Sequence, residues 1–148
     1  MIFYQGGILL IKYMTSMNPE LLTGDKTIDD QHEELFELGE QIKRLANENK
    51  PLQIKQLYET YLDLLVTHFT YEEMLMLEVK YPADDFQRHR NAHRILQEIY
   101  LVAFRALSAG ANVTTVLELF ESRFLMHLWD EDLKLAQFIK QAKVLPSL

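Results

Sequence analysis

Apolar residues recur along this chain at intervals of three and four, and no stretch alternates as a strand would, so the pattern calls for helix throughout. The first stripe runs Ile28, His32, Leu35, Gly39, Ile42 and Ala46, widened by Phe36 and Leu45. The second takes Ile54, Leu57, Tyr61, Leu64, Leu65, His68, Glu72 and Leu75. The third takes Phe86, His89, His93, Leu96, Tyr100, Ala103, Phe104 and Leu107. The fourth takes Val116, Leu117, Phe120, Phe124, His127, Leu128, Leu135 and Ile139. Local signals bound each stripe. Thr27 is placed to cap the first helix, with Asp29 and Asp30 in its opening turn. Asn47 to Lys50 ends it, and Pro51 suits the first turn of the second. Tyr81-Pro82 makes a turn before Asp84 and Asp85 open the third, which Gly110 stops. Asn112 or Thr114 is placed to cap the fourth. Four helices with such short connections predict an all-α, antiparallel up-down-up-down four-helix bundle. Gly39 in mid-helix is unfavourable by about 1 kcal/mol against Ala; it reads as a point where a neighbouring helix comes close.

Residues 1–20 carry no period, and Gly6-Gly7 with Met14 and Met17 read as a non-helical N-terminal extension ahead of a bundle spanning 21–145. The whole chain of 148 residues suits one domain able to bury a core without staples. It has no cysteine, which removes disulfides, thiolate metal sites, iron–sulfur clusters and cysteine nucleophiles from consideration. A net charge of −7 argues against nucleic acid or an anionic membrane as the main partner. No apolar run approaches the roughly 18–20 residues a bilayer requires. The run Ile8 to Ile11 lacks a basic region before it and a cleavage site after it, so the cytoplasm is the expected compartment.

All five histidines fall on the inward stripes. His68 and Glu72 stand four apart on one helix face, as do His89 and His93. Burying such groups is costly unless they are hydrogen-bonded, paired or bound to a metal. One inward histidine is more often a satisfied core residue than a ligand. Five are not explained that way, because an apolar core gains nothing from five imidazoles. In an antiparallel bundle the depths of His32, of His68 with Glu72, of His89 with His93, and of His127 are compatible with a single site. Imidazole with carboxylate suits iron, zinc, manganese or copper, and so many donors can hold two ions. If two carboxylates and one hydroxide bridge the ions, five nitrogens divide three and two, leaving one ion six-coordinate and the other with an open position. That arithmetic needs a second carboxylate besides Glu72. Asp130 and Glu131 follow His127 at three and four residues, whereas Asp132, at five, lies about 140° round a regular helix. The wheel therefore selects Glu131, although the wide apolar arc of the fourth helix leaves Asp132 open.

Several of these stretches resemble the hemerythrins, specifically the bacterial ones: Ile28-Asp29-Asp30-Gln31-His32, His68-Phe69-Thr70-Tyr71-Glu72-Glu73, Tyr81-Pro82 leading to His89-Arg90-Asn91-Ala92-His93, and His127 through Asp132. The likeness spans roughly residues 20–140. It implies a non-haem centre of two hydroxide-bridged iron ions that binds dioxygen reversibly. His89, His93 and His127 would hold the coordinatively full iron, His32 and His68 the iron with the open position, and Glu72 and Asp132 would bridge. The resemblance thus selects Asp132 where the wheel selects Glu131. Leu35, Phe36, Phe69 and Leu128 are candidates for the apolar wall, and Glu73 reads as a solvated carboxylate. One position departs from the pattern: many relatives carry Trp four residues before the fourth-helix histidine, and here it is Arg123, beside Phe124. An arginine there opens a water path, donates to the ligand, or turns outward.

Oxygen carriage, storage or sensing without turnover is the leading expectation, because histidine-rich ligation with only two carboxylates favours reversible binding. A di-iron oxidase, peroxidase or nitric-oxide reductase is the alternative, and a metal-free interaction bundle leaves the histidines unexplained. No residue pattern names an electron-transfer or delivery partner.

Overall fold

The structure, a computed structural model, describes residues 18–144. The expected N-terminal extension therefore lies outside the described residues up to position 17, as does residue 145. Helices α1 (Lys26–Asn47), α2 (Pro51–Glu78) and α3 (Ala83–Ser108) precede a fourth rod of three parts. That rod consists of α4 (Val113–His127), a π-helical turn (Leu128–Asp132) and α5 (Leu133–Val144). Among the described residues there is no strand, and no helix is long and apolar enough to cross a membrane. Helix α1 packs on α2, α2 on α3, α3 on α4, and α4 closes back on α1. The result is the expected ring of antiparallel neighbours.

The helix ends follow local chemistry, with one correction. Asp25, not Thr27, caps α1: its carboxylate accepts from the Ile28 N–H at 3.0 Å, leaving Thr27 inside the first turn. Tyr71 of α2 donates its hydroxyl to the same carboxylate at 3.1 Å, tying the start of α1 to the helix that carries Glu72. Just ahead, Pro19–Leu21 forms one 3-10 turn that seats the buried Leu21. Of the two caps open for the fourth rod, Asn112 serves, accepting from the Thr115 N–H at 3.0 Å. Gly110 takes φ +92°, the left-handed conformation that ends a helix at least cost in glycine.

The core is not continuous. A large apolar cluster built on Tyr58, Tyr61, Leu65, Tyr100, Leu117, Phe120 and Phe124 fills one part of the bundle. Met76, Tyr81 and Leu135 form a smaller one. His68 and Glu72 lie between Leu65 and Met76 on α2, so a polar layer separates the two clusters. Gly39 answers the expectation of close approach: a Cβ there would collide with Glu121 Oε1 of α4. That buried carboxylate accepts from Lys43 Nζ of α1 at 2.6 Å.

Candidate metal centre

Seven side chains from all four rods converge in the polar layer, and none is more than 5% exposed. They fall into two overlapping groups whose nitrogen and oxygen atoms lie within 4.8 Å of one another. One group is Glu72, His89, His93, His127 and Asp132; the other is His32, His68, Glu72 and Asp132. The two carboxylates belong to both, and each turns one oxygen to each group. Asp132 Oδ1 stands 2.9 Å from His127 Nε2 and 3.0 Å from His89 Nε2, while Oδ2 stands 3.1 Å from His32 Nε2. Glu72 Oε2 stands 3.0 Å from His93 Nε2 and 3.4 Å from His89 Nε2, while Oε1 faces His68 Nε2 at 3.7 Å.

Asp132 reaches this place because the fourth rod does not keep a regular α turn. Through Leu128–Asp132 the bonding passes from four residues to five, and the Leu133 N–H closes on Leu128 O. A residue five after His127, which a uniform wheel carries away from it, is brought back beneath it. Glu131, the carboxylate the wheel prefers, points elsewhere: it is buried at 7% exposure and accepts from Arg88 Nε of α3 at 2.9 Å. The regular-turn assumption fails at the one turn that matters.

His93 Nε2 pairs with Glu72 Oε2 at 3.0 Å, but most of the other donor atoms are close without being satisfied by one another. His89 Nε2, His127 Nε2, Glu72 Oε1 and both Asp132 oxygens make no hydrogen bond of acceptable direction, and His32 Nε2 meets His68 Nε2 at 3.1 Å. Buried polar atoms are rarely left so. Nitrogens and carboxylate oxygens aimed at common points rather than at partners fit cations of the imidazole-and-carboxylate class. Burial pushes His68 down to about 4, outweighing the pull of Glu72. Burial also opposes charge on His89, but the adjoining Asp132 and Glu72 oxygens outweigh it and raise that imidazole to about 10. Burial and Asp132 push Glu72 upward, yet His68, His89 and His93 hold it below the usual carboxylate range. Burial likewise opposes the charge of Asp132, and His127, His32 and His89 overcome it.

The walls are apolar and aromatic. Phe69 stacks on His93 with ring centres 4.0 Å apart, and Phe124 stands edge-on to His32 at 5.7 Å. Leu35, Phe36 and Leu128 are buried in the large cluster. Arg123 is exposed, so of the readings open to it the outward one holds, and Phe124 takes the inward place. Two residues next to the histidine and carboxylate positions do more than their sequence suggests. Gln31 Oε1 lies 2.9 Å from His68 Nδ1. Glu73, expected to be solvated, is half-buried with Oε1 3.0 Å from His93 Nδ1. Each follows or precedes an inward residue by one position, about 100° round its helix, where a side chain points at the next helix. That flank placement is the signal by which they could have been found.

The family model described as the hemerythrin HHE cation-binding domain matches residues 23–139. Two proteins named Bacteriohemerythrin, from Campylobacter jejuni subsp. jejuni serotypes O:6 and O:2, are each 28% identical over 129 residues. The aligned region covers 85% of this chain and 91% of each relative. No solved structure gives a significant match.

Proposed function

The chain belongs to the hemerythrin HHE cation-binding domain family, and from that premise we propose that its polar layer holds two iron ions and binds dioxygen reversibly. The observation that carries the reading is the unequal pair of overlapping donor groups, which share two carboxylates that face both ways. In this reading His89, His93 and His127 would hold one ion and His32 and His68 the other, with Glu72 and Asp132 shared by both. The group with fewer imidazoles leaves room for a small ligand on its ion. When bound, ferrous ions would supply the electrons by which dioxygen is held. The chain's own part is to keep the donors in place and water out. Four rods bring the donor atoms together, which would keep reorganisation on binding small. Phe69 and Phe124 close the layer against water, and the leucines complete the wall. Histidine-rich ligation with two carboxylates supports binding rather than turnover.

An anaerobic-to-air optical titration, with iron quantified on the same sample, tests the reading. Two irons per chain and a ligand-to-iron charge-transfer band that appears in air and disappears under inert gas, without consumption of reductant, are expected. Ferrous-loaded protein that shows no such band, or that consumes reductant steadily in air, overturns oxygen carriage.

A further inference from the structure

The five imidazoles are not supported alike. The Nδ1 atoms of His32, His89 and His127 are buried without a hydrogen-bond partner among the described residues. Among the described residues, only His68 and His93 have that nitrogen held by another side chain, and by chemically different groups. His68 faces the neutral amide of Gln31, which can present either its oxygen or, turned over, its NH2. His93 faces the carboxylate of Glu73, which in its charged form only accepts. The carboxylate thus favours a proton on His93 Nδ1, while Nε2, 3.0 Å from Glu72 Oε2, faces the cluster. The stacked Phe69 ring restrains the imidazole on one face. Glu73 itself sits in a groove of about 420 Å³ between α2 and α3, with Arg90 Nε 3.7 Å from its second oxygen.

We infer that Glu73 is a positioning residue that fixes the tautomer of His93 and makes it the strongest imidazole donor of the five. It acts through His93 without touching the ions, so the five-donor group becomes the electron-richer of the two metal positions. Gln31 gives His68 orientation without charge. The difference between the two ions is then written into their supports as well as into their donor counts. This rests on the two-ion reading above. Its general basis is that a carboxylate behind a metal-bound imidazole orients the ring and raises its basicity.

The test uses wild-type protein freed of metal, with Glu73→Ala, Glu73→Gln and Gln31→Glu beside it, titrated anaerobically with ferrous iron alone. Midpoint potentials of the loaded proteins are then measured, and helical circular dichroism verifies that each variant is folded. Glu73→Ala is expected to lose about 10- to 100-fold in affinity at one of the two positions. Glu73→Gln keeps an acceptor and is expected to regain most of that affinity, yet to show a raised midpoint potential because the negative charge is gone. Gln31→Glu, which adds charge behind His68, is expected to lower it. If wild-type protein takes up two ions and Glu73→Ala binds both equally well, the inference alone is overturned. It is overturned as well if Glu73→Gln leaves the potential unmoved. Wild-type protein that takes up no iron overturns the metal-centre reading and this inference together.

Discussion

Asp132 and Glu131 are chain neighbours with opposite surroundings. Asp132 turns its two oxygens to histidines of both donor groups, whereas Glu131 pairs with Arg88 on α3. Equilibrium dialysis of Asp132→Ala against ferrous iron should therefore show uptake falling below two ions per chain, while Glu131→Ala should retain full uptake. The reverse result would give the bridging part to Glu131. Gly39 makes a different kind of claim. Placing Ala there would add about 1 kcal/mol of helix propensity, but its methyl group must displace the buried Glu121 carboxylate and the Lys43 contact behind it. Overpacking of this sort costs typically about 1–3 kcal/mol. Gly39→Ala should accordingly lower the urea midpoint; an unchanged or raised midpoint would show that Glu121 can move aside freely. The mid-helix glycine by itself reveals that something comes close. That the neighbour is a carboxylate depends on the rotation of α4 against α1.

At the scale of the element, the π-helical turn Leu128–Asp132 decides which carboxylate enters the polar layer beside His127. It amounts to one residue inserted in an otherwise regular rod. Asp130 within it is exposed and belongs to neither donor group. Deleting Asp130 should let the rod close into continuous α-helix with the Asp132 carboxylate four residues after His127, still on the same face. Iron uptake and helical content should then survive the deletion. An alanine inserted after Asp130 carries the carboxylate one residue too far and should lower uptake while leaving α1 to α3 helical. Metal titration and circular dichroism on the two variants separate these outcomes; loss of uptake in the deletion would mean that the wide turn itself is required. Helix lengths and boundaries, by contrast, lie close to the sequence. Pro51, Asp84, Asp85 and Gly110 act within their own turn, and only the cap of α1 shifts, from Thr27 to Asp25.

Across the whole molecule, the polar layer makes stability depend on pH and on metal. Without metal, His68, pushed down to about 4, stays neutral where the unfolded imidazole, near 6.5, takes up a proton. Its support is full above pH 6.5 and is lost as pH falls toward about 4. His89, raised to about 10, keeps a proton that the unfolded chain gives up, so its support is full below 6.5 and is lost as pH rises through about 10. Chelator-treated protein should therefore show its highest Tm near pH 6.5, falling on both sides, as measured by thermal scans in buffers of constant ionic strength. Ferrous loading at neutral pH should raise that Tm in proportion to the logarithm of free metal. A flat profile between pH 4 and 6.5 would mean that His68 is not held neutral. The class of fold, the short antiparallel connections and the inward place of all five histidines were determined by sequence alone. Each is a matter of spacing along one chain, and apolar spacing reads directly as a helix face. The tertiary structure decided which carboxylate lies beside Glu72 in the polar layer, and which groups stand behind His68 and His93. A wheel projects residues onto a uniform turn, and that projection fails where the turn widens to π. Contacts such as Glu73 to His93 depend on how one helix is rotated against another, and packing sets that rotation.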